Sequence, residues 1–321
     1  MKSLPYLLAL FGCILLGAIG SPISTDVSIL TKRGLEVTDG KEIVLVNTKT
    51  GSKKDIAAVS DNDKEWINKY EEKIKGRNLP YTPEYQAYYD YDPLGEGKEP
   101  TTKAQVGFYP PKNQDEQQQG IMKTKLDAAK TEWKKTDTYK KFKESLDELS
   151  GEVAVSKILG LGCGSLNAIN PFSEAAETRN QEQSYIQTAI MLTIQEDLKS
   201  GPTLILQDPT YGETESGFLT NSASKGSVQV MSDPDGFDAI DDKTIVFNIG
   251  GYEAFWYRID KGPTPVAIIT ESLDTTIGDK VMLKPQSDLL SKYDSDPKEV
   301  AEKDVAGLGR KPTKFWTRAC N

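Results

Sequence analysis

The chain has 321 residues, 37% hydrophobic and 27% charged, a balance that suits a globular protein of one large or two modest domains. Its net charge of -9 argues against nucleic-acid binding, which needs clustered Lys and Arg, and no basic stripe offsets it. The absence of histidine excludes Ser-His-Asp and Cys-His nucleophiles, HExxH zinc sites and imidazole acid-base catalysis. With Cys163 and Cys320 alone beyond the first twenty residues, a structural zinc site and a disulfide scaffold are excluded as well.

Lys2 precedes an apolar run from Leu7 to Leu16, and Ala18 and Gly20 fill the small-residue positions of a cleavage site. This predicts a secretory signal over residues 1–20 and an extracellular protein with no stable membrane anchor once the signal is removed. An uncleaved anchor is the competing reading, but the run is shorter than the about 20 apolar residues of a membrane span. Lys32-Arg33 closes the short segment 21–33, which reads as a propeptide with a mature chain from Gly34. No Asn-x-Ser/Thr acceptor occurs anywhere.

Region 34–120 is expected to hold a hairpin, a helix and a Tyr/Pro-rich segment. Asp39-Gly40 between two β-prone runs predicts the hairpin over 34–47. Capping oxygens at Asp61 to Asp63 and apolar Trp66, Ile67, Tyr70 and Ile74 predict a helix ending near Arg77. Residues 79–120, with five tyrosines from Tyr81 to Tyr91 and prolines at 80, 83, 93, 100, 110 and 111, read as mostly irregular chain pinned by its rings. Residues 121–149 read as a helical lead-in of one long helix or two, the alternative break and cap being Thr136-Asp137, with a stop at Ser150-Gly151.

From Val155 short apolar runs alternate with helical patterns. Strands are predicted at 155–161, 203–207, 227–231, 244–248 and 265–270, and helices at 179–199, 213–221 and 252–259. This is the pattern of an α/β, Rossmann-like three-layer domain with a mostly parallel sheet. Residues 273–321 read as a C-terminal tail with one short helix over 286–293, and there is no internal repeat.

Ligands of such sheets bind outside the carboxyl ends of the strands, which directs attention to ILGLGCGS, residues 158–165. Gly160, Gly162, Gly164 and Ser165 there read either as a cofactor cradle or as a tight turn that packs strand on loop. The spacing lacks the third glycine of G-x-G-x-x-G, and Asp208 follows too late for a dinucleotide fingerprint. The run looks closer to the first motif of S-adenosylmethionine-dependent methyltransferases, although NAINPFSEAAETRN separates it from the next helix. Cys163 has no histidine to activate it and reads as a small buried residue. Asp208, at the end of LILQ, is placed either to hold ligand hydroxyls or to cap the turn.

Taken together, ILGLGCGS, the helix carrying Gln187-Thr-Ala189, then LILQDPTY, GFLTN and GFDAIDDKTIVF resemble the sensitivity-to-red-light-reduced-like (SRR-like) domain, especially its fungal forms, over roughly residues 150–272. The resemblance implies a Rossmann-like domain without an established reaction, so no catalytic residue carries over. On matching positions it nominates Gly162, Gly164, Gln187, Asp208, Pro209 and Tyr211 as a ligand edge. The chain departs from the family pattern in its signal segment and in NIGGYEAFWYRI after the fourth strand. A secreted binding or interaction module is the first expectation, and a divergent nucleotide-cofactor-dependent transferase such as a methyltransferase is the alternative. The cofactor, the small-molecule or protein partner and the enzymatic status stay open at this stage.

Overall fold

The computed structural model describes residues 35–38, 42–45, 57–58, 61–90, 101–231, 233, 235–250, 259, 262–271, 289–302, 305, 308 and 311–318. At its start β1 (Leu35–Thr38) and β2 (Glu42–Leu45) pair antiparallel, Leu35 opposite Leu45, as the Asp39-Gly40 signal predicts, and β3 (Ala57–Ala58) adds to β2. The expected helix follows as α1 (Asp61–Gly76). The signal and propeptide segments lie outside the described residues, and among those residues no helix is long and apolar enough to cross a membrane.

The segment 79–120 corrects the expectation of irregular chain. β4 (Thr82–Asp90) and β5 (Thr101–Tyr109) form an antiparallel ribbon from the Thr82 and Tyr109 pair to the Asp90 and Thr101 pair. Its Tyr, Thr, Val and Phe residues suit a pleated surface, and the prolines at 80, 110 and 111 bracket the ladder rather than break it. Pro83 is tolerated because a two-stranded ribbon consists of edge strands only.

Of the two alternatives for the lead-in the structure has two helices, α2 (Asp115–Trp133) and α3 (Asp137–Glu152). Thr136 caps the second helix, its Oγ1 accepting the Tyr139 N–H at 3.0 Å. α3 runs past Ser150-Gly151 and ends where Val153 turns extended. Leu126, Trp133, Phe142, Leu146 and Leu149 are buried on the inner faces of these helices, and Lys130 and Lys134 pair with Glu196 on the next one. Full burial of each large aliphatic contributes roughly 1.5–3 kcal/mol, so the lead-in is bound to the domain by its core.

β6 (Lys157–Leu161), β7 (Thr203–Gln207), β8 (Ser227–Met231), β9 (Thr244–Asn248) and β10 (Ala267–Glu271) are parallel and lie in the order β8-β7-β6-β9-β10. The chain steps outward from β6 first to one side and then to the other, so the strand order reverses between β6 and β9. The tail expectation is corrected here: β12 (Thr313–Thr317) runs antiparallel beside β10, and β11 (Lys298–Ala301) pairs antiparallel with β12 at the sheet's edge. Thr313 and Phe315 are buried while Lys314 and Trp316 are half-buried, a period-two pattern too short and too charged to stand out locally. The helix expected at 252–259 lies outside the described residues except Ile259, and the one expected at 286–293 is described only from Leu289.

Helices cover both faces, which explains the unbroken apolar strands. Ile158, Leu204, Leu206, Ile245, Phe247 and Ile269 pack toward α2, α3 and the long α4 (Glu174–Asp197), together with Leu219 of α5 (Glu213–Thr220). Leu159, Leu161, Ile205, Val246 and Ile268 pack on the other side against Phe237 of α6 (Asp235–Asp238), Ile240, Leu289 and Tyr293. The three-layer α/β expectation is met. α4 starts earlier than the predicted Arg179 because Ser173 caps it, its Oγ accepting the Ala176 N–H at 3.1 Å.

Candidate functional site

Where the order reverses, the chain leaves β6 through Gly162, Cys163 and Gly164. Gly162 and Gly164 adopt φ of 67° and 75°, a region other L-residues occupy only with strain. A Cβ at Gly164 would stand 2.4 Å from the Ser184 Oγ of α4, so the turn also needs glycine for close approach. Gly160 has a different task. A Cβ there would meet Leu206, Cys163 and Met191 within 3.4 Å, and the residue belongs to the packing of β6 under α4.

The turn is held from below by two buried carboxyl groups. Asp208 Oδ2 accepts the Gly164 N–H at 2.7 Å, while its Oδ1 accepts the Thr210 N–H at 2.7 Å and the Thr210 hydroxyl. Burial pushes the Asp208 carboxyl above its ordinary range, against the hydrogen bonds from Thr210 and Gly164. Glu215, on the first turn of α5 and 0% exposed, accepts the Ser165 hydroxyl at 2.6 Å and the Leu166 N–H. Burial is the largest influence on Glu215 and takes its pKa up to about 8, with the Asp208 charge adding and the bonds from Ser165, Leu166 and Gly212 opposing. Ser165 Oγ in turn accepts the Ala168 N–H at 3.0 Å. The Cys163 thiol is buried and free, and burial, assisted by the Asp208 charge, pushes its pKa up, so it is no thiolate nucleophile.

Above the turn lies a cavity of about 420 Å³, within the usual range for small-molecule sites. The turn and loop residues 162–165 and 168–172 form its floor and one side, α4 from Glu177 to Gln187 forms another, and residues 106–109 of β5 with Tyr70 of α1 close it. The N-terminal ribbon is stapled to this loop. The Ile169 N–H donates to Phe108 O at 2.6 Å, the Tyr109 hydroxyl donates to Thr210 O, and the Arg77 guanidinium reaches Glu177 at 2.7 Å and Asn170 O.

Of the residues nominated from sequence, Gly162, Gly164, Ser165 and Gln187 line the cavity, and Gly160, Asp208, Pro209 and Tyr211 do not. Asp208 serves as the brace of the turn, the capping role that was one of its two sequence readings. Gln187, 1% exposed, donates from Nε2 to Ile249 O at 3.1 Å. Sequence reasoning missed Glu215, which reads as an ordinary acidic residue in a helix's first turn. It also missed Tyr70 and Phe108, which lie in segments whose contact with the domain has no local signal.

A family model described as the SRR1 domain matches residues 141–309, from within α3 to beyond β11 and wider than the span the motifs mark. No curated protein matches the chain. The match names a family and assigns no reaction, and the cavity's wall from Tyr70 to Tyr109 stands outside the matched residues. With its model covering just over half of the sequence, including the glycine turn, both buried carboxyls and all five parallel strands, the chain belongs to the SRR1 domain family.

Proposed function

We propose that this SRR1-domain protein is a small-molecule-binding module whose ligand seats over the glycine turn. The observation that carries the reading is the cavity itself. It stands at the carboxyl edge of the sheet, at the switch point of strand order, where open α/β sheets hold ligands. Its lining speaks for binding rather than chemistry: Glu177 is engaged by Arg77, Cys163 is held as a thiol, and the acidic braces Asp208 and Glu215 lie outside the lining. The remaining polar groups are mostly amides and hydroxyls, which orient a ligand without exchanging protons.

A thermal-unfolding screen of the full chain against a fragment library tests this. Occupancy at a hundred times the dissociation constant contributes about 2.7 kcal/mol, enough to raise the melting temperature by several degrees. Stabilising fragments that lose their effect in Gln187→Ala are the expected result, and a library without a single Gln187-dependent fragment would overturn the reading.

A second reading, a transferase of the S-adenosylmethionine-dependent type, is favoured by the sheet. Counting β6 as first, its parallel strands run third, second, first, fourth, fifth, the doubly wound nucleotide-binding order. This is fold-level analogy and brings no catalytic residue with it.

Secretion is part of the proposal, supported by Lys2, the apolar run Leu7 to Leu16 and the small residues at 18 and 20. Amino-terminal sequencing of protein recovered from culture medium is expected to begin at Ser21, or at Gly34 after dibasic processing. Protein confined to the cytosol with Met1 retained would refute it.

A further inference from the structure

The glycine turn has the outline of a phosphate cradle, but the N–H groups of both its left-handed glycines are already engaged. The Gly162 N–H donates to Gln207 O at 2.9 Å, the Gly164 N–H to Asp208, the Leu166 N–H to Glu215 and the Ala168 N–H to Ser165. A phosphate oxygen on the Gly164 N–H would have to displace a buried carboxyl and then lie against it. The other common anion device, a helix amino terminus, is also absent from this turn. It packs against Ser184 of α4, ten residues from the helix start at Glu174 and so about 15 Å along the axis. Among the described lining residues there is no Lys or Arg, and the nearby Arg77 is committed to Glu177 and Asn170 O.

What the cavity does offer is aromatic surface and neutral hydrogen-bonding groups. Tyr70, Phe108 and Phe172 line it, with Tyr70 and Phe172 edge to face at 5.3 Å. Trp66, 52% exposed, packs 5.8 Å from Tyr70, and Phe172 is 53% exposed. At depth Gln187 lines the cavity and is anchored through Nε2 to Ile249 O, and its amide oxygen is of the kind that accepts from a ring N–H or exocyclic amine. Asn180 and Gln183 stand at the exposed side of the same helix, suited to hydroxyl groups.

Resting on the binding-module reading, we propose that the ligand is a phosphate-free nucleoside: a planar heteroaromatic base against the aromatic wall, its donor edge on Gln187, and a sugar toward Asn180 and Gln183. Two sources share that chemistry, a neutral nucleoside and an adenosyl sulfonium cofactor. Because the aromatic wall comes partly from α1 and β5, outside the matched family residues, this chain selects its ligand with its own N-terminal extension.

The test is calorimetric titration of the full chain with adenosine, S-adenosylmethionine and AMP. Adenosine or S-adenosylmethionine is expected to bind, whichever is tighter identifying the source, and AMP is expected to be at least about tenfold weaker than adenosine, a loss of about 1.4 kcal/mol. Gln187→Ala should abolish binding. Since that residue is buried, Phe172→Ala at the exposed rim serves as the second variant, expected to weaken binding several-fold with an unchanged melting temperature. AMP binding as tightly as adenosine, or no effect of Phe172→Ala, would overturn the inference. Gln187-dependent fragments without nucleoside binding would overturn the ligand class and leave the binding module standing; if neither binds, both fall.

Discussion

Asp208→Ala is expected to destabilise the protein by about 3 kcal/mol, more than any single surface change, and to dissolve the floor of the cavity. The carboxyl accepts the N–H groups of Gly164 and Thr210 and the Thr210 hydroxyl, all at the crowded junction of β6, β7 and α4. Alanine leaves two part-buried backbone donors without their acceptor, each costing up to roughly 1–3 kcal/mol. Removing a buried carboxyl that burial already disfavours recovers part of this, which is why the expected loss is near the middle rather than the sum. Asp208→Asn is informative beside it. Its single oxygen can serve Thr210 or Gly164 but not both, and its amide hydrogens face a donor on the other side, so an intermediate loss is expected. Urea unfolding with unchanged slope would report the difference as a midpoint shift. A loss below about 0.5 kcal/mol, the range of ordinary surface substitutions, would show that the turn stands without its brace.

The parallel strands were legible because each is a short apolar run between helical patterns, and β7, β8 and β9 match the expected bounds residue for residue. Burial on both faces leaves a strong signal in composition alone. β4 and β5 were not legible, since their prolines and tyrosines are equally common in irregular chain. β12 was hidden by length and charge. In the site, the glycines were found because positive φ leaves a mark on residue type, and Gln187 because a family motif carries it. Glu215 left no mark: nothing in GETE indicates that the second glutamate turns inward to a serine 50 residues earlier. Pairings between distant segments depend on how helices seat on the sheet, which local pattern does not encode.

Glu215 sets the second large expectation, a loss of stability as pH rises through neutrality. Its pKa in the folded protein is up to about 8, against an ordinary value of 4.5. Between those limits the folded state holds a proton that the unfolded state has released, so stability decreases with rising pH, by up to roughly 1.4 kcal/mol per pH unit, and levels off above the folded value. Asp208, also raised by burial, adds in the same direction. Of the other groups around Glu215, the Tyr185 phenol is pushed further up by burial and by the Glu215 charge, and the Cys163 thiol is likewise raised, so neither opposes the trend in this window. The chain has no histidine, which removes the side chain that ordinarily titrates there and makes the slope readable. Glu215→Gln keeps an acceptor for the Leu166 N–H and a partner for Ser165 without an ionisable proton. It should resemble the parent near pH 5 and exceed it in unfolding midpoint near pH 8, where the parent must ionise a carboxyl sealed from water. Parallel profiles for parent and variant across that range would show that Glu215 ionises at its ordinary pH, and that water reaches the carboxyl beneath the turn.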